Sequence, residues 1–216
     1  MPKRLLYVMA VLFLMAGAAV ISLALDVGGG HKEDSEPLAV GTPLPTQVPT
    51  NAPPTPTPVQ QGDPRLAALA IQRLVVPRIG INAPIVVLGI LPDGTMASPK
   101  GPTEVAWYTF SSKPGEVGNV VMSGHLDYIN YGAAVFYRLR DLRPGDELQV
   151  VLEDGTQVNY AVESVTAYDE ATAPIADIVG RTPNEAITLI TCAGSFDRTS
   201  REYNKRLVVR GARVLG

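Results

Sequence analysis

The chain carries a single cysteine and only two histidines, so a search for nucleophilic chemistry is short. Cys192 closes the β-branched, apolar run Thr188-Leu189-Ile190-Thr191-Cys192, as a strand would that delivers a thiol to its C-terminal end. His125 closes another such run, Asn119-Val120-Val121-Met122-Ser123-Gly124-His125, whereas His31 lies in a proline-rich stretch that cannot build a site. A thiol and an imidazole, each at a strand end, are the minimum for thiolate catalysis. Arg206 opens the run Arg206-Leu207-Val208-Val209. If that run pairs with Thr188–Thr191, a guanidinium lies beside the thiol. The segment after the cysteine also holds Arg198, Arg201 and Arg210, and Arg198 or Arg201 are alternatives to Arg206. Taken singly each residue has a plainer use: a small buried hydrophobe for the cysteine, a turn for the histidine, solvated surface for the arginine. Their joint occurrence in this order favours a site.

The elements that must position these groups read mostly as strands. Asp63-Pro64 has an N-cap residue followed by proline at the first helical position, and begins a short helix through Leu66, Leu69 and Ala70. Strands are expected at Leu74–Val76, Ile79–Ile81, Ala83–Val87, Asn119–Ser123, Glu147–Leu152, Val158–Val162, Ile187–Thr191 and Leu207–Val209. Pro92-Asp93-Gly94 and Arg143–Asp146 read as turns, Asp154-Gly155 as a hairpin, and Ala133–Leu139 as a short helix or helical turn. Trp107 and Tyr108 are expected to pack or to line a groove. About eight short strands with few helices in about 150 residues indicate a closed, mainly β barrel.

Composition narrows the setting. A mild net charge of −3 does not suggest a polyanion partner such as nucleic acid. One cysteine excludes an internal disulfide framework and a thiolate zinc site. Lys3 and Arg4 precede an apolar run from Leu5 to Leu25, 21 residues against the roughly 20 a membrane-spanning helix needs. Residues 1–25 therefore read as a cytoplasmic stub and transmembrane anchor, with a cleaved signal ending near Ser22-Leu23-Ala24 as the alternative. The positive-inside rule leaves the N-terminus in the cytoplasm and the remainder outside. Residues 26–64 contain seven prolines between Pro43 and Pro58 and no apolar periodicity, and read as a disordered Pro/Thr-rich linker. Such a linker of roughly 39 residues spans about 35 Å as a coil and about 120 Å fully extended. Residues 65–216 form the expected catalytic domain.

These motifs resemble those of the sortases, the cysteine transpeptidases of Gram-positive-type cell surfaces. Thr188–Cys192 is similar to the family's TLxTC motif, Ser123-Gly124-His125 to its histidine motif, and Arg206, 14 residues after the cysteine, to its arginine. Val76–Ile85 is similar to its first strands, and the resemblance covers about residues 70–214. With no large insertion between the last strands, the chain is most similar to class E/F enzymes. The resemblance implies an eight-stranded sortase barrel and catalytic residues Cys192, His125 and Arg206, with Thr191 at the substrate. It also implies cleavage of an LPxTG-like signal between Thr and Gly, and transfer through a thioester to a cell-wall or pilin amine. Partners would be surface proteins bearing that signal. No cofactor is implied. Some members bind calcium, but Asp169, Glu170 and Asp177 lack the spacing of a cage, and no metal site is assigned. A silent barrel that only binds peptides is the competing class. An L,D-transpeptidase would place histidine and cysteine in one SHGC-like motif, whereas here 67 positions separate them.

Overall fold

A computed structural model describes residues 61–215. The expected anchor and nearly all of the linker lie outside these residues. No helix among the described residues is long and apolar enough to cross a membrane.

Ten strands form in chain order: β1 (Ile71–Val76), β2 (Ile81–Leu88), β3 (Val105–Tyr108), β4 (Asn119–Ser123), β5 (Asp127–Tyr128), β6 (Gly132–Ala133), β7 (Glu147–Leu152), β8 (Gln157–Asp169), β9 (Ala186–Asp197) and β10 (Glu202–Arg213). Eight close a barrel in the order β1-β2-β3-β4-β9-β10-β8-β7, while β5 and β6 make a separate small hairpin. Closure leaves the barrel without a free edge. The pairs β2/β3 and β4/β9 are parallel and the other barrel pairs antiparallel.

Alternation along each strand sorts side chains to the two faces. Leu74, Val76, Val120, Met122, Leu148, Val150, Ile187, Leu189 and Val209 fill the interior. The intervening residues of the β3–β4–β9 wall point outward and are covered in turn. Ala106, Tyr108 and Val121 pack there with Ile190, Met96 and Val179, the last from helix α2 (Ile175–Val179). This wall is therefore buried on both faces, and its far end carries the candidate residues.

The first helix, α1 (Pro64–Ala68), begins as its sequence requires: the Asp63 carboxylate accepts from the Arg65 backbone N–H at 3.0 Å. It stops at Ala68, two residues short of expectation, and Lys113 Nζ donates to the Ala67 and Leu69 carbonyls at 3.0 Å each. One further expectation fails locally, while the helical turn expected over Ala133–Leu139 forms from Ala134 onward. Ile79-Gly80-Ile81 is not one strand, because a 3₁₀ turn over Pro77–Ile79 ends at Gly80 with φ of +73° before β2 begins. Ala133 ends β6, and the turn that follows leads to a 3₁₀ segment at Leu139–Asp141.

Candidate active site

Strand β9 supplies the thiol. It does not end at Cys192 as expected but runs on to Asp197, forming with β10 a polar hairpin that projects beyond the buried wall. The hairpin bends two residues past the thiol. Gly194 has φ of +82°, and Asn204 Oδ1 accepts from Ser195 N at 2.8 Å within 2.2 Å of where a Cβ on Gly194 would lie. Only glycine fits such a bulge.

On one side, Arg206 of β10 is the direct antiparallel partner of Cys192. Facing residues of an antiparallel pair share a sheet face, so the guanidinium and the thiol rise from the same outer surface. Arg198 and Arg201 lie exposed at the hairpin tip, and Arg210 is spent on the Asp177 and Ile178 carbonyls of α2 at 2.8 and 3.1 Å. Only Arg206 among the four is in register with the cysteine.

On the other side, β4 runs parallel to β9 with Ser123 beside Ile190. The register continues past the strand end: Gly124 N donates to Ile190 O at 3.2 Å, and Thr191 Oγ1 donates to Gly124 O at 2.8 Å. His125 and Cys192 are the next residues of the two chains in that register. Gly124 is required for this path, since a Cβ there would lie 2.8 Å from Val135 Cγ1 and 2.9 Å from Phe136 Cδ2. Thr191 thus differs from expectation. It is 3% exposed and turned inward, and its hydroxyl serves the histidine-bearing segment where contact with a substrate was expected.

His125 is held by its own partners. Its Nε2 lies 2.8 Å from the Pro99 carbonyl, and the Tyr128 ring meets it edge-on at 5.2 Å. A carbonyl only accepts, so Nε2 carries a hydrogen and Nδ1 is the atom left for proton exchange. Phe136 N donates to His125 O at 2.9 Å and fixes the backbone.

Burial pushes the half-buried Cys192 thiol above its ordinary pKa; the Arg206 guanidinium pulls it down, and the Asp127, Glu170 and Glu202 carboxylates push it up. The thiol is therefore neutral near pH 7. Arg206 is occupied as well. Its Nη1 donates to the Tyr203 and Lys205 carbonyls at 2.8 and 3.1 Å, and its Nη2 to Glu170 Oε1 at 3.2 Å. Asp169 pairs with Lys205 Nζ at 2.9 Å. Among the described residues no group of three or more His, Cys, Asp or Glu is arranged to hold a metal. Glu170, Asp127 and Tyr203 border the site, and no motif singles them out.

A closed eight-stranded barrel with this outer-face constellation defines a class of thiol acyl-transfer enzyme. Residues 74–214 match the sortase domain family, and the chain belongs to that family. It is a cysteine transpeptidase that sorts proteins to the cell wall. Its substrates carry sorting signals, and a cell-wall or pilin amine accepts the product. Among solved structures it is similar to a lid mutant of sortase A from Corynebacterium diphtheriae, at 24% identity, covering 68% of this chain and 70% of that one with a TM-score of 0.52. It is also similar to sortase C-1 from Actinomyces oris, at 26% identity, covering 67% of this chain and 73% of that one with a TM-score of 0.51. No curated protein sequence matches it.

Proposed function

We propose that this sortase is a membrane-anchored enzyme of the class E/F type, its catalytic domain outside the cell. It cleaves an LPxTG-like signal between Thr and Gly with Cys192, His125 and Arg206 as catalytic residues. The observation that carries the reading is that Arg206 on β10 pairs directly with Cys192, while β4, parallel to β9 up to Ser123–Ile190, leads into His125 on the other side. The short β9–β10 connection, residues 198–201, supports the class. The apolar run Leu5–Leu25 behind Lys3 and Arg4 supports the anchor.

In the first half-reaction the scissile carbonyl takes the place of Glu170 on Arg206. Freed of that carboxylate and stripped of water, the guanidinium favours the thiolate. The thiol proton passes to His125 Nδ1, the sulfur attacks the threonine carbonyl, and Arg206 with a backbone N–H stabilises the oxyanion. The C–N bond breaks as His125 Nδ1 gives its proton to the departing glycine amine. In the second half the acceptor amine attacks the thioester, His125 takes up its proton, and the sulfur leaves. One amide replaces another, so no net oxidation or cofactor is involved.

The test uses the full chain in detergent, an LPxTG-like peptide and mass spectrometry. A thioester adduct on Cys192, absent in Cys192→Ala, is expected. No adduct across a peptide library would refute the reading, and peptide affinity without turnover would assign a silent binding barrel instead.

A further inference from the structure

The two flanks of the site come from distant parts of the chain. His125 is carried by the β4–β5 segment and Arg206 by β10, and Cys192 stands between them on β9. The β5–β6 hairpin lies outside the barrel sheet, so no ladder hydrogen bond joins it to β10.

We propose that Tyr203 is a positioning residue that clasps the histidine flank to the arginine flank over Cys192. Tyr203 lies on β10, three residues before Arg206. Its hydroxyl donates to Asp127 Oδ2 at 2.5 Å, and Asp127 stands two residues after His125 at the start of β5. Its backbone carbonyl accepts from Arg206 Nη1 at 2.8 Å. Its ring packs on Phe196, its partner on β9, with centroids 5.1 Å apart. One residue therefore touches the segment of the imidazole, the guanidinium itself and the strand of the thiol.

The chemistry of the contact suits a clasp. A phenol donating to a carboxylate at this length is a charge-assisted bond, roughly twice as strong as a neutral one. The Asp127 hydrogen bond pushes the Tyr203 phenol up to about 12, so the hydroxyl keeps its proton over any working pH. The thiol lies within the field of both partners, as Asp127 acts on Cys192 and Cys192 on Tyr203. A general surface contact would have no reason to share its residue with the guanidinium. This inference rests on the catalytic assignment above. Its effect is on geometry, so it appears in turnover and not in peptide affinity.

The experiment is a double-mutant cycle on the detergent-solubilised full chain, with an internally quenched LPATG peptide and triglycine as acceptor. Thermal unfolding of each variant confirms folding. Tyr203→Phe keeps the ring and the carbonyl and removes only the hydroxyl. Tyr203→Phe and Asp127→Ala should each lower kcat about tenfold and move KM by less than about twofold, since misplacements of this kind act on the chemical step. The double variant should lose no more than either single one. Asp127→Asn, whose amide oxygen still accepts the phenol, should recover most of the turnover lost in Asp127→Ala. Losses that multiply, a rise in KM with kcat intact, or no loss in Tyr203→Phe would overturn the clasp. A parent chain that forms no thioester on Cys192 would instead overturn the functional reading itself.

Discussion

Arg206 and Glu170 meet at 3.2 Å beside the thiol, so the guanidinium that should assist catalysis is partly neutralised. Removing the Glu170 charge withdraws one of the influences that hold the Cys192 pKa up. Glu170→Gln should therefore lower the pH midpoint of Cys192 alkylation and speed iodoacetamide labelling at pH 7 about threefold, half a unit of pKa being worth that factor. An unchanged or slower labelling rate would show that Glu170 does not restrain the site.

In the parent enzyme the labelling rate should climb with pH and level off above the value for an ordinary thiol, because burial disfavours the thiolate more than Arg206 favours it. The sign follows from the Arg206 charge: Arg206→Gln should move the midpoint further up. Stopped-flow alkylation between pH 6 and 11 reads both. A midpoint that falls in Arg206→Gln would place the guanidinium too far away to matter.

Charge and shape separate in Arg206→Lys. The ammonium keeps a positive charge but lacks the planar fork, so turnover should fall by roughly two orders of magnitude, as for loss of an oxyanion donor. Arg198→Lys and Arg201→Lys, at the exposed tip, should leave it near the parent level. The opposite pattern in a steady-state assay would transfer the arginine role to the tip.

Gly124→Ala should damage both stability and turnover. The added methyl meets Val135 and Phe136 inside 3 Å, and overpacking of this kind costs about 1–3 kcal/mol. Relief requires the segment to shift, and His125 is its next residue. A lower Tm together with a kcat loss larger than that of a buried variant remote from the site is the expected result. A stable protein with normal kcat would mean that the path through Gly124 is not tightly set.

Glu185→Ala tests the far end of the barrel. Buried Glu185 accepts from Tyr160 Oη at 2.6 Å and Gly115 N at 2.9 Å, and Arg213 Nε lies 3.6 Å away. Breaking such a pair strands the other charge and costs about 3–5 kcal/mol. Denaturant unfolding should show that loss, while the folded fraction keeps its turnover per molecule.

The thiol, imidazole and guanidinium were legible because each ends or opens a short apolar run, and strand β7 was found at its true bounds, Glu147–Leu152. Strand β3 was missed because all four of its residues are buried, which erases the period-2 signal. The outer halves of β9 and β10 fall outside the expected strands because they are polar and solvated, held by pairing with each other and not by a core. Thr191 is expected at the substrate on the resemblance alone. Counting from interior Leu189 turns it inward, and a carbonyl 67 positions away satisfies it. The Asp127–Tyr203 contact spans 76 positions and joins two common residue types, so nothing local announces it.

Asp63 and Gly115 bond at 2.7 Å beside the start of β4, so the polypeptide joins the barrel at the pole remote from Cys192. A pull or a solid support attached at Asp63 therefore acts on the pole opposite the thiol, and immobilisation at that point keeps the support itself away from Cys192.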